Sequence, residues 1–254
     1  MAKDPKTLTL SPTKVDTFNG CKRLFLYKYI KQPFVPPENK FFLIGNVVHK
    51  ALELYHKNNS PMGKCFKEAI AKYDAKRKLK KGIIENSDLW TIKHMLINYL
   101  NHLKQLPKAP KVHMVEELTK LDIKGITVWL KADRIDLIGK NRYKVIDYKS
   151  GKPMSKANEL DSVQIHSYGI LVRQKIHPKA KIYGDYFYLK FMDSKRGIHS
   201  HKITNKWMKE AIKQYVKVDK ALKNGCKFTQ NFKYKYCDLC EFRKLCLEDT
   251  NDDL

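Results

Sequence analysis

The hydrophobic pattern changes period near Pro110: before it apolar residues recur at helical spacing, and after it they alternate. Ser11-Pro12 marks a helix start, a capping hydroxyl followed by proline at the first helical position. The predicted helix runs through Phe18 and Leu24 to about Ile30, with Cys21 inside it. A second helix is predicted from near Gly45, where Val48, Leu52 and Tyr55 follow at helical spacing and His49 rides along. Two more helices are predicted at about 64–80 and 87–106, with loops at Pro33, Pro36 and Pro37 and again at Pro107 and Pro110.

Beyond Pro110, residues 112–121, 126–138 and 142–149 read as an antiparallel meander with turns at Lys124-Gly125 and Gly139-Lys140-Asn141. A helix at 157–174 then leads to a fourth strand at 181–191, a short strand near 198–203 and a helix at about 205–223. The helix between the third and fourth strands is long enough for a right-handed crossover. The expected fold class is therefore α/β (α+β), a mixed sheet flanked by helices. No linker of Gly/Ser or Pro interrupts the chain, which predicts one body over 1–254. It comprises a helical part at 1–110, a sheet core at 111–204 and a C-terminal helix with a cysteine segment at 205–254. A chain of 254 residues can bury a sizeable core.

The charge changes this picture most. Against 26 Asp and Glu stand 51 Lys and Arg, a formal net charge of +25. Such an excess speaks about partners rather than fold, and nucleic acid is the polyanion it fits best. A lysine-rich thermophile or AT-rich genome gives a similar excess. No long apolar span or amphipathic anchor points to a membrane. The polar start Met1-Ala-Lys-Asp-Pro is not a signal peptide. This predicts a cytoplasmic protein, in a prokaryote or a virus-infected host. The six cysteines are then metal ligands or buried residues rather than a disulfide framework.

In the third strand Asp147 and Lys149 are two residues apart, so they share a face while Ile146 and Tyr148 point the other way. An exposed ion pair would need no further role, but Val145-Ile146-Asp147-Tyr148 looks like a buried strand, where charges need a reason. Asp133, in the preceding strand, comes near Asp147 across the hairpin. Two hard carboxylates converging at a strand end suit Mg²⁺ or Mn²⁺, and a nearby lysine suits phosphodiester cleavage.

Gly45-x3-His49, Asp133-Arg134-Ile135-Asp136, Ile146-Asp147-Tyr148-Lys149-Ser150-Gly151 and Gln164-x3-Tyr168 occur in this order. Together they resemble the RecB-like branch of the PD-(D/E)XK nuclease superfamily. With the flanking cysteines the chain resembles its iron–sulfur members, the CRISPR-associated iron–sulfur exonucleases and the nuclease domain of AddB. No G-x4-G-K-[ST] motif appears, so the helicase part of AddB-like proteins is missing. The resemblance implies a restriction-endonuclease-like sheet and a DNA exonuclease that prefers single strands, with adaptation or recombination proteins as partners. It makes Asp133, Asp147, His49 and the backbone carbonyl of Tyr148 the metal ligands and Lys149 the catalytic lysine. It places Gln164 and Tyr168, one helical turn apart, beside the active site. From the residues alone, His49 reads as a satisfied helix-face histidine and Tyr168 as core. Asp136 reads as an outer carboxylate or the partner of Arg134. Glu117, or its neighbour Glu116, could lend a further carboxylate from the first strand, but the two read first as a solvated pair.

Three cysteines cluster as Cys237-x2-Cys240-x5-Cys246 and need a fourth from elsewhere. Cys226 is the local candidate, in a compact site that zinc could also fill. The resemblance implies Cys21 instead, with a structural [4Fe–4S] cluster, leaving Cys65 and Cys226 as ordinary residues. For DNA contacts, Lys76, Arg77 and Lys78 belong to a basic run that is either a solvated helix end or a phosphate-tracking wall. Lys233, Tyr234 and Lys235 lie in an interleaved aromatic and basic stretch, suited to stacking on unpaired bases or to an edge strand. A non-catalytic DNA-binding or scaffold subunit of a recombination or CRISPR adaptation complex is the alternative, and intact Asp133, Asp147 and Lys149 argue against it.

Overall fold

The computed structural model describes residues 3–34, 40–75 and 85–249. Helix α1 (Pro12–Gly20) opens as the sequence predicts, with Ser11 Oγ accepting the amide N–H of Lys14 at 3.3 Å. The predicted continuous helix does not follow. Cys21 is extended (φ −155°, ψ 112°), and α2 (Lys22–Phe25) restarts the chain before a π-type turn at Leu26–Lys31. The break comes from distant residues: Asn231 Nδ2 donates to the Gly20 carbonyl at 2.8 Å, and the Arg23 amide donates to the Thr229 carbonyl at 3.2 Å. The Tyr234 ring packs so close that a Cβ on residue 20 would stand 2.5 Å from it.

Helix α3 (Lys40–Asn58) begins a turn earlier than expected, and α4 (Met62–Ala75) and α5 (Asn86–Gln105) follow. Then come β1 (Val112–Ile123), β2 (Ile126–Gly139) and β3 (Arg142–Lys149). The predicted helix at 157–174 is divided into α6 (Lys156–Leu160), α7 (Val163–Leu171) and a π-type turn at Val172–Ile176. Side chains from elsewhere take the carbonyls that would continue α6: Tyr186 OH donates to Glu159 O at 3.3 Å, and His166 Nε2 meets Leu160 O at 2.7 Å. Strands β4 (Lys181–Tyr188) and β5 (Ile198–Ile203) and helices α8 (Asn205–Lys223) and α9 (Arg243–Glu248) complete the order.

The sheet has five strands in the order β1-β2-β3-β4-β5, antiparallel except for the parallel pair β3–β4 that α6 and α7 connect. One face packs Val128, Leu130, Ile135 and Val145 against Val15 and Phe18 of α1, Ile165 of α7 and Tyr215 of α8. The other packs Ile146, Tyr148 and Phe187 against Val48 and Leu52 of α3, Ala69 of α4 and Met95 of α5. The two residue sets in β3 thus go to opposite faces, as strand alternation requires.

One irregularity positions the site. In β2 the residues facing α1 and α7 are Ile126, Val128, Leu130 and Ala132, and then Ile135, so the alternation slips by one across Asp133-Arg134. Opposite the slip, Glu117 pairs with Ala132 and Val115 with Arg134, while Glu116 between them sits at φ +48°. A left-handed glutamate inside a strand is strained, and such strain concentrates where side chains must be re-aimed.

Candidate active site and thiol cluster

A cleft of about 610 Å³ opens where α3 crosses the sheet end, lined by His49, Glu116, Asp133, Asp147, Lys149 and Gln164 among others. Gly45 of α3 faces Ser150 at the cleft, where a Cβ would stand 3.4 Å from Ser150 Oγ, at van der Waals contact. His49, one turn further on, reaches three groups. Its Nδ1 lies 3.4 Å from Glu116 Oε1 and 3.4 Å from Asp133 Oδ1, and its Nε2 lies 3.1 Å from the Tyr148 carbonyl. One ligating atom from each of His49, Glu116 and Asp133 falls within 4.8 Å of the others. That spacing suits a single ion at hard-cation oxygen and nitrogen distances.

Asp147, 1 % exposed, stands on the next strand with Oδ2 2.6 Å from Lys149 Nζ. The lysine also donates to Gln164 Oε1 at 3.5 Å. Gln164 Nε2 donates to Tyr168 OH at 2.7 Å, and Tyr168 OH to the Lys131 carbonyl at 3.2 Å. One polar chain therefore runs from the lysine head through α7 back to β2.

The charges are mutually dependent. Burial raises the Asp147 carboxyl above its ordinary value, neighbouring Asp133 adds to this, and Lys149 opposes it. Burial also acts to raise Asp133, but the His49 charge and hydrogen bond and the Tyr148 amide bring it below the ordinary carboxylate value. Burial pulls the His49 imidazole down, and Asp133 and Glu116 more than reverse it. Lys149 likewise loses to burial and gains more from Asp147. Three carboxyl groups thus face an imidazole and an amine around one cleft. A divalent cation offers the same compensation at the same place.

The structure brings together the sequence-predicted His49, Asp133, Asp147, Tyr148 carbonyl, Lys149, Gln164 and Tyr168 in one region. It corrects the reading of Glu116, which is no solvated residue: its side chain is 5 % exposed, pairs with Lys131 Nζ at 2.5 Å and faces His49, while Glu117 points to solvent. The positive φ hid this, because ordinary alternation does not predict where a left-handed residue aims. Asp136 turns to the opposite face and pairs with Arg134 Nη2 at 2.8 Å.

The cysteines form a second site. Cys21, Cys237, Cys240 and Cys246 all line one small cavity closed by Leu24, Tyr27, Tyr234 and Phe242. Burial raises the Cys246 thiol, and Cys21, Cys240 and Cys237 each raise it further. Cys226 lies outside that cavity, and Cys65 is buried in the core of the other sheet face. Arg243 Nη1 donates to Cys237 Sγ at 3.3 Å. Among the described residues no three cysteine sulfurs come within 4.8 Å of one another as the His49 group does. A tetrahedral zinc with bonds of about 2.3 Å would hold its sulfurs only about 3.8 Å apart. The segment before Cys237 is a succession of turns rather than an edge strand: Lys233 and Lys235 are exposed, and Tyr234 is half-buried against Gly20. Lys76, Arg77 and Lys78 lie outside the described residues. Among the described residues no helix is long and apolar enough to cross a membrane.

The family model of the PD-(D/E)XK nuclease superfamily matches residues 9–247, so the chain belongs to that superfamily. Its members are divalent-metal nucleases, and the His49, Glu116 and Asp133 group is where this chain offers such an ion a place. Among solved structures, a protein from Eubacterium rectale named "Putative exonuclease" superposes with a TM-score of 0.59 at 13% identity, over 97% of this chain and 90% of that one. At that identity the likeness shows the fold. The structure of SSO0001 aligns over 94% of this chain and 96% of its own at 14% identity, with a TM-score of 0.36. No curated protein matches the sequence.

Proposed function

We propose that this protein is a Mg²⁺- or Mn²⁺-dependent deoxyribonuclease of the RecB-like iron–sulfur branch, which degrades DNA from its ends and favours single strands. The observation that carries this reading is the convergence of His49, Glu116, Asp133 and the Tyr148 carbonyl beside the Asp147–Lys149 pair. His49, Asp133, Asp147 and the Tyr148 carbonyl hold the ion, with Glu116 beside them as the carboxylate that sequence reasoning set aside. The ion supplies positive charge that polarises the scissile phosphate. Lys149 Nζ, steadied by Asp147 and Gln164, orients the attacking water and offsets the charge that develops on phosphorus oxygens. Tyr168 holds Gln164 in place for that task. The net charge of +25 supplies affinity for phosphates irrespective of base sequence, with exposed Lys233 and Lys235 and the run at Lys76, Arg77 and Lys78 as contacts.

The thiol site supports a [4Fe–4S] cluster on Cys21, Cys237, Cys240 and Cys246. All four line one cavity, and the resemblance to the iron–sulfur members favours a cluster over a single zinc ion. Its role is structural, joining the break after α1 to the C-terminal segment.

The test uses an end-labelled single strand with Mn²⁺. The wild type should shorten it progressively. Asp147→Asn and Lys149→Ala should each cut about a thousandfold more slowly while keeping the melting temperature and DNA binding. Cleavage by Asp147→Asn at the wild-type rate would overturn the assignment.

A further inference from the structure

Two large aromatic side chains stand at the mouth of the cleft with little protein over them. Phe41 is 72% exposed and Phe42 66%, and both line the cleft that holds His49, Asp133 and Lys149. They follow directly on the start of α3 and are no part of the buried stripe of that helix, which is Leu43, Ile44, Val47, Val48, Ala51 and Leu52. The buried stripe therefore does not account for the place of Phe42. An exposed aromatic ring lining such a cleft offers a face on which an unpaired base can stack.

Helix geometry specifies where Phe42 lies. Phe42, Asn46, His49 and Glu53 succeed one another at the spacing of a single helix face, and all four line the cleft. Phe42 precedes His49 by two turns, which places it about 10 Å along the helix axis from the imidazole. Lys72 lines the same cleft as a cation for a phosphate backbone entering it, beside Lys50 and Lys131, which pair with Glu53 and Glu116. A strand whose scissile phosphate reaches His49 and Lys149 would carry a neighbouring base past Phe42.

We propose that Phe42, with Phe41 beside it, forms a base-stacking subsite that receives an unpaired nucleobase adjacent to the scissile phosphate, and so makes the cleft selective for single strands. The inference rests on the deoxyribonuclease reading above and names the substrate feature that this site recognises. Only an unpaired base offers its face to a side chain, whereas a base within a duplex has both faces covered by its neighbours. A duplex end must fray to reach the ring, and a single strand pays no such cost. Stacking tolerates any base identity, consistent with affinity drawn mainly from phosphates.

The experiment measures binding of short single strands in Ca²⁺, alongside cleavage of the same strands in Mn²⁺. Phe42→Ala should weaken single-strand binding about tenfold, and Phe42→Leu should weaken it equally. Phe42→Trp should restore it. A side chain needed only for packing would be replaced by leucine without loss. Walking an abasic site along the strand should find one position that costs the wild type about tenfold and costs Phe42→Ala nothing further. Equal binding by wild type and Phe42→Ala, rescue by leucine, or no abasic position coupled to Phe42 would each overturn the subsite. Wild-type strands left uncut in Mn²⁺, with that coupling intact, would instead overturn the deoxyribonuclease reading and leave a base-stacking DNA binder.

Discussion

Asp133 Oδ2 accepts the backbone N–H of Tyr148 at 2.7 Å, while the carbonyl of that same residue lies 3.1 Å from His49 Nε2. One residue of β3 is thus fixed by a carboxylate of β2 on one side and presented to a helix on the other. The Tyr148 ring, on the face of the sheet that α3 covers, is held in turn by Arg134 and Tyr99. The position of a main-chain oxygen in the cleft therefore depends on polar contacts made behind it.

Arg134 is the centre of those contacts. It is 2 % exposed, pairs with Asp136 at 2.8 Å, and donates to Tyr148 OH at 3.2 Å and to His56 Nε2 at 2.9 Å. Arg134→Met should destabilise the fold by about 3–5 kcal/mol, because it leaves Asp136 buried without its partner. Arg134→Met/Asp136→Leu should recover part of the loss. Urea midpoints of the single and double variants test this, and equal midpoints would show that the pair is not the source.

Glu116 offers a direct test of the cleft. Glu116→Gln keeps the size and removes the charge that faces His49. Mn²⁺ affinity should fall about 10–100-fold, as for other residues that shape a metal site. Titration followed by electron paramagnetic resonance reads this without relying on cleavage. Unchanged affinity would place Glu116 outside the metal's reach.

The thiol site separates two cysteines. Cys21→Ser should lose iron and the broad visible absorption of an iron–sulfur protein, while Cys226→Ser should keep both. The reverse outcome would move the fourth ligand to Cys226, and zinc in place of iron in the purified protein would refute the cluster.

His56 gives a prediction about acid. Burial pushes its imidazole down to about 3 from 6.5, and the Arg134 charge adds to the effect. Arg134 donates to His56 Nε2, so the folded state needs that nitrogen unprotonated. The folded value lies below the unfolded one, so the two states bind protons alike above about pH 7. As pH falls from 6.5 towards 3 the unfolded chain takes up a proton that the folded chain refuses, and stability drops. Relative to His56→Gln, the wild type should lose about 2 kcal/mol between pH 7 and pH 5. Urea unfolding of both proteins at the two values measures the difference, and parallel losses would assign the acid sensitivity elsewhere.

Much of this architecture was legible in the residues. Strict alternation in β3 placed Asp147 and Lys149 together and Ile146 and Tyr148 opposite, and Ile146 and Tyr148 do join the core on the α3 face while Val145 joins the other. Turns with Gly and Asn set the meander. What escaped was long-range. Cys21 breaks a helix because Asn231 and Tyr234 meet Gly20 from the far end of the chain. Glu116 enters the cleft because a left-handed residue interrupts β1 opposite a slip in β2. Neither a local propensity nor a period carries that information, since the partners that decide the conformation are remote in sequence.

The junction of the chain's two ends has a consequence for synthesis. Leu10 pairs with Val128, the Gly20 carbonyl waits for Asn231, and Arg23 meets Asp249 at 3.1 Å. Helices α1 and α2 therefore lack Asn231 and Asp249 until more than 200 further residues have been translated. At about 5–20 residues per second that delay is roughly 10 to 45 seconds. Through that interval the nascent polypeptide exposes apolar surface around α1 and keeps Cys21 apart from Cys237, Cys240 and Cys246, so that surface needs chaperone protection until the cysteine segment has emerged.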